Sequence, residues 1–215
     1  MIMTDKLLNL IKEKYPLTEI DCGNFAQMKV NGMKFSISAY KAEGLGHVSV
    51  MRAKGFFGLM KMDTLIINPT EIDLPLYSYD RIFAMGNDTL IVELYDTLSG
   101  EYSEAELEAA KAKYSALSER DPGEHWYDSI KLPSSISKKG KKAHTERLDA
   151  LTVDHFIAYV NSNDKSGDKA VKAEKAQVYV NGLIEKGGPS TDVFKKAIGE
   201  AKTRELFENI LFGTK

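Results

Sequence analysis

The first hundred residues alternate. After an opening segment, MIMTDKLLNLIKEKYP, whose apolar positions recur at helical spacing, six runs follow: FAQMKV, MKFSISAY, HVSVMRAKG, MDTLIINP, RIFAM and TLIVELYD. Their side chains tend to switch between apolar and polar at every second position, the period of a strand with one face on a core. Asn31-Gly32, between the first two runs, is a hairpin signal because both residues accept positive φ. Gly44 and Gly46, Gly55 and Gly58, Pro69 and Pro75, and Gly86-Asn87 mark the other turns. Connections this short hold no crossover helices, so about six short strands in a mainly antiparallel sheet are predicted.

From residue 103 the period changes. Ser103 and Glu106 form a capping-box signature ahead of AELEAAKAKYSAL. A polar stretch over 119–143 holds Pro122, Trp126, Pro133 and the run KKGKK, and the helical segments LDALTVDHFIAYV and AVKAEKAQVYVNGLIEK follow. After the break GGPS, a last helix is expected from near Asp192, with Val193, Phe194, Ala197, Ile198 and Ala201, then Leu206, Phe207, Ile210 and Leu211, along one stripe. Strands first and helices afterwards predict an α+β fold, a sheet covered by helices, as one domain over residues 1–215.

Composition narrows the chemistry. With 215 residues, 43% of them apolar and 28% charged, the chain is expected to be soluble and to bury a core without disulfides. Its 29 basic and 31 acidic side chains argue against a dedicated nucleic-acid binder. Cys22 is the single cysteine, which leaves no intramolecular disulfide or Cys-rich metal site and suits a reducing, cytoplasmic setting. No apolar run approaches about 18 residues, so neither a bilayer span nor a membrane partner is expected. His47, His125, His144 and His155 form no close metal pair, GLG and GFFG are turns rather than phosphate loops, and no GxSxG is present. KKGKK reads as a solvated loop, or as a contact for ligand carboxylates or an acidic partner.

One segment stands apart: IINPTEIDLPLYSYDRIFAM. Asp80 lies where the aromatic-rich LYSY passes into an alternating strand, with Tyr77, Tyr79 and Phe83 close in sequence. A carboxyl desolvated by such neighbours has a raised pKa and, still protonated near neutrality, can donate a proton to a bound molecule. The residues alone favour the plainer role, an ion pair between Asp80 and Arg81 or a lysine, or a turn cap.

NPTEIDLPLYSYDRIF, the following DTLIVELYDT, the C-terminal VFKKAIGEAKTRELFENILFG and the position of Trp126 between them resemble the ferredoxin-dependent bilin reductases over residues 46–213. Red chlorophyll catabolite reductase is a more distant relative of that family. The resemblance implies an α/β/α sandwich with a central antiparallel sheet and a pocket for a linear tetrapyrrole, such as biliverdin, between the sheet and the C-terminal helices. It implies an oxidoreductase fed one electron at a time by ferredoxin, with no metal or flavin of its own. Asp80 matches the family's proton-donating aspartate. A histidine found in some members falls at Thr64, beside Asp63, and an upstream glutamate falls near Arg52. An Asn or Asp before the last helix falls in GGPS, with Asp192 a few residues late, and Lys138 takes the place of a basic propionate contact. These departures also suit a second reading, a protein of the same fold that binds a tetrapyrrole or another hydrophobic ligand without turnover.

Overall fold

The structure, a computed structural model, describes residues 2–215. Alternation does build the first half: a helix α1 (Met3–Lys14) precedes β1 (Leu17–Ile20), β2 (Gln27–Val30), β3 (Met33–Ala42), β4 (Gly46–Gly55), β5 (Met60–Pro69), β6 (Leu76–Ala84) and β7 (Asn87–Tyr95). Then come α2 (Ala105–Ala112), β8 (Ile136–Lys141), α3 (Thr145–Asn161), α4 (Lys169–Lys186), α5 (Pro189–Ile198) and α6 (Glu200–Glu205), which runs into a π-helical turn, Leu206–Leu211. The strands form an eight-stranded antiparallel sheet in the order β1-β3-β4-β5-β6-β7-β8, with β2 also on the outer edge of β3.

Successive strand residues feed two cores. On one face Val48, Val50, Leu65, Tyr77, Tyr79, Leu90 and Val92 meet α1, α2 and α3 through Leu7, Ile11, Leu107, Leu151, Phe156 and Tyr159. On the other, Phe35, Ile37, Met51, Ile66, Leu76 and Tyr95 meet α4, α5 and the C-terminal turn through Tyr179, Leu183, Phe194, Phe207 and Leu211. Helices on both faces of an antiparallel sheet make the α/β/α sandwich expected from strands followed by helices.

Three departures from the periodic reading matter. β1 and β8 add two strands, and β8 contains most of KKGKK, which is therefore a strand and not a solvated loop. LYSY belongs to β6 itself, so Asp80 sits inside a strand rather than at its entrance. The last helix begins at Pro189, breaks at Gly199 (φ +81) and resumes in two further pieces. Its end is tied down by the sheet: His47 Nε2 donates to Ile210 O (2.7 Å), Ser49 Oγ to Leu211 O (2.7 Å) and Asn68 Nδ2 to Phe212 O (2.8 Å). These side chains satisfy carbonyls that an ending helix leaves open. No helix among the described residues is long and apolar enough to cross a membrane.

Candidate functional site

Side chains at alternate positions of β6 point to opposite faces. Tyr77, Tyr79 and Arg81 enter the α1–α3 layer, whereas Ser78, Asp80 and Ile82 face the other. Arg81 is fully buried against Asp88, donating through Nε and, at 2.7 Å, through a terminal nitrogen, while Thr145 Oγ1 donates to the same carboxylate. The Asp80–Arg81 ion pair that the sequence allowed is thus excluded, because neighbours in one strand cannot share a face.

Asp80 lies instead on the floor of a cavity of about 350 Å³ between the sheet and the C-terminal helices. The floor comes from β3 to β7, with Met33, Met51, Met62 and Ile66 apolar and Thr64, Asp80 and Glu93 polar. The roof comes from Tyr179 and Leu183 of α4, Thr191 and Phe194 of α5, and Phe207 and Phe212 at the C-terminal end. A side wall comes from the loop before β8, with Arg120, Pro122, His125 and Tyr127.

Protein surrounds the Asp80 carboxyl, although part of its surface remains open to the cavity. Desolvation is the largest influence and raises its pKa; the Thr64 hydroxyl, donating at 2.5 Å, opposes the rise, and Glu93 adds to it. The result is a carboxyl pushed up to about 6. The direction agrees with the sequence argument but the cause differs: Tyr77 and Tyr79 are on the far face, and the cavity walls do the desolvating.

Register brings a second acid close by. Asp80 pairs with Ile91 and Ser78 with Glu93, so the two carboxyl groups are diagonal neighbours on one face. Tyr95 donates its hydroxyl to Glu93 at 2.6 Å, and burial raises the pKa of that phenol. On the side wall, Arg120 is fastened to β8 by Ser137, whose hydroxyl donates to Arg120 O at 2.8 Å. His125 stacks on Tyr127 with ring centroids 4.8 Å apart, and its buried Nδ1 has no hydrogen-bond partner among the described residues.

Of the residues singled out in sequence, Thr64 and Asp80 reach the cavity. Arg52 and Asp63 do not: both point to the opposite face, where Arg52 binds Thr4 and Asp5 of α1 and burial raises the Asp63 pKa. Each is one residue out of phase with a cavity residue, Met51 and Thr64. Lys138 is buried on that same far side, with its ammonium on Leu117 O (3.2 Å) and Glu119. Asp192 is exposed in the first turn of α5, against Gly187, and does not line the cavity. Glu93, Arg120, His125 and Tyr127 were not foreseen. The alternation of TLIVELYD placed Glu93 on a defined face, a usable signal; the loop residues carried none.

No family model and no curated protein matches the chain. Among solved structures, phytochromobilin synthase from tomato, in complex with biliverdin, is similar with a TM-score of 0.75 at 16% sequence identity, covering 98% of this chain and 83% of that one. Such a likeness shows the fold. The antiparallel sheet between two helical layers is common to both.

Proposed function

We propose that the protein binds a linear tetrapyrrole in the cavity above Asp80 and reduces it with electrons from a soluble carrier of the ferredoxin type. The observation that carries this reading is the Asp80 carboxyl, held near pKa 6 on the floor of an apolar cavity. The fold shared with a protein solved with biliverdin supports the choice of ligand.

The chemistry asked of the chain is modest. An electron arriving on a conjugated tetrapyrrole makes its nitrogens and carbons more basic, and a protonated carboxyl beside them donates a proton. A two-electron reduction takes up two electrons, from two reduced ferredoxins, and two protons. Asp80 delivers one proton per visit and recovers it from water. Near neutral pH a useful fraction of Asp80 is protonated, and the Thr64 hydroxyl steadies the carboxylate left after transfer. Glu93, linked to the Tyr95 hydroxyl, is a second carboxyl within the same wall. Arg120 supplies the cation that a propionate calls for, in place of Lys138. Electrons come from outside, so the reading needs no resident metal or flavin.

The test is spectroscopic. Added biliverdin is expected to shift its visible bands on binding, and reduced ferredoxin then to bleach or move them. Asp80→Asn is expected to bind equally well and turn over about a hundredfold more slowly. Undiminished turnover in that variant removes Asp80 from the chemistry.

A second reading rests on the Thr64–Asp80 hydrogen bond, which favours the charged form of the acid. A protein tuned that way binds the same ligand without reducing it. A stable bound spectrum that reduced ferredoxin leaves unchanged decides for this carrier role.

A further inference from the structure

One end of the sheet carries a surface that the cavity chemistry does not use. The β2–β3, β4–β5 and β6–β7 hairpins close side by side there, through the pairs Val30–Met33, Gly55–Met60 and Ala84–Asn87. β8 finishes at the same end, with Lys141 opposite Asn87. The tips are apolar. Phe57 is completely exposed, and Phe56, Leu59 and Met85 are 61%, 71% and 89% exposed. Phe56, Phe57 and Met85 also hold φ of 51°, 55° and 51°. That left-handed backbone is strained for any residue with a large side chain. These side chains are too exposed for burial within the chain to offset the strain.

Behind the tips runs a row of lysines. Lys29 is opposite Lys34, Lys34 opposite Lys54, and Lys54 opposite Lys61. Four exposed ammonium groups therefore share one face, on strands about 4.8 Å apart. Like charges directly opposite one another destabilise a sheet. Among the described residues none of the four takes part in an ion pair. Segments 29–34, 54–61, 83–88 and 139–142 together hold seven lysines and one acid, Asp88, which is buried against Arg81. Of the acids further in, Asp63 and Asp5 lie beside Arg52, Asp149 is paired with Arg81, and Glu146 opens α3 next to Arg147. A chain of net charge −2 thus has a concentrated positive end.

We propose that this end of the sheet docks on an anionic lipid surface, with Phe56, Phe57, Leu59 and Met85 entering the interfacial layer and the lysine row resting on the headgroups. The dimensions agree. Phe56 lies two residues beyond Lys54, and Leu59 two residues before Lys61, a separation of at most about 7 Å along the chain. Interfacial apolar groups sink about 5–10 Å below the charged layer. A fluid medium can surround a side chain exposed on every side, as Phe57 is, whereas a folded partner covers one side of it. Met33 and Met60 adjoin the lysine row in sequence and line the cavity, so docking holds that part of the cavity near the lipid.

Co-sedimentation of the full chain with vesicles tests this independently of any activity. With vesicles of phosphatidylcholine plus about one-third phosphatidylserine, binding is expected at low salt and release at about 0.5 M salt; with phosphatidylcholine alone, little binding is expected. Lys54→Glu with Lys61→Glu is expected to weaken binding about thirtyfold or more. Phe56→Ser with Phe57→Ser is expected to weaken it at least about tenfold. Both pairs are exposed, so both variants should stay folded with melting points no lower than the parent's, and the salt release of the unaltered chain stands as a check if either does not. Absence of binding to the anionic vesicles at low salt overturns the proposal, as does binding that the Phe56/Phe57 change leaves intact. Lysine-dependent capture of a soluble acidic protein such as ferredoxin, without vesicle binding, reassigns the surface to a protein partner and overturns it equally.

Discussion

Thr64 and Asp80 face each other across β5 and β6, and that one pairing decides how the acid behaves. The hydroxyl donates to the carboxylate and pulls its pKa down against the larger upward push of desolvation. Removing the donor leaves the push unopposed. Thr64→Val should therefore move the alkaline limb of the reductase pH profile upward, by about one pH unit or less, the scale of one net hydrogen bond. Thr64→Ser should restore the parent profile. A profile indifferent to both changes would mean that another group sets the limb. The neighbouring Arg81 shows how sharply a strand separates roles: one residue on, the side chain is locked into a buried ion pair with Asp88 in the opposite layer. Removing either partner strands a buried charge, which is why such pairs are structural anchors.

At the level of elements, α4 meets the loop before β8 through Tyr179, Lys186 and, most tightly, Gly182. A Cβ added at Gly182 would come within 2.2 Å of the Trp126 ring, and the Trp126 indole donates to Gly187 O at 2.9 Å. Helix propensity alone would make alanine stabilising here by about 0.5–1 kcal/mol. The ring has no room to yield without losing its hydrogen bond. Gly182→Ala should accordingly cost about 1–3 kcal/mol in thermal denaturation and shift the emission of this sole tryptophan. An unchanged or raised melting point would show that the loop moves freely. That loop marks the limit of what the sequence discloses. Strands β3 to β7 were legible because each runs nine or ten β-prone residues between turn signals, although β4 and β5 are buried on both faces over most of their length and alternate little. Four residues in β1 and the lysines of β8 give alternation too little length or contrast to register. Asp80 was named from its aromatic-rich segment and again by resemblance, Thr64 by resemblance alone, and their shared face is a matter of register. Arg52 and Asp63 stand one position from the cavity residues Met51 and Thr64, so alternation sends them to the opposite face; the resemblance gave their neighbourhood but not their phase. Arg120, His125 and Tyr127 reach the cavity through irregular backbone, where no period links sequence to direction.

Across the whole molecule, the buried histidines and the buried Asp80 pull stability in opposite directions with pH. Burial holds His155, in the α1–α3 layer, down to a pKa of about 4, and His47 is lowered for the same reason. The unfolded chain takes these protons first, so stability is full above pH 6.5 and drains away as pH falls toward 4, by up to about 3 kcal/mol for His155. Asp80 acts in the other sense. Its folded pKa of about 6 lies above the unfolded value, so its contribution is present at low pH and is lost as pH rises through 6. Melting temperatures between pH 7 and pH 5 should fall for the parent chain and fall less for His155→Gln, which removes that imidazole while His47 and Asp80 still titrate. Parallel curves would assign the acid sensitivity elsewhere. One further property follows from the cavity floor, where Met33, Met51, Met60 and Met62 supply four of the eight methionines. Unbranched thioethers change rotamer cheaply and have no preferred shape. A chamber upholstered with them is a mould rather than a lock: it can follow a guest that twists or changes hybridisation, so selectivity falls to the few polar groups set among the sulfurs.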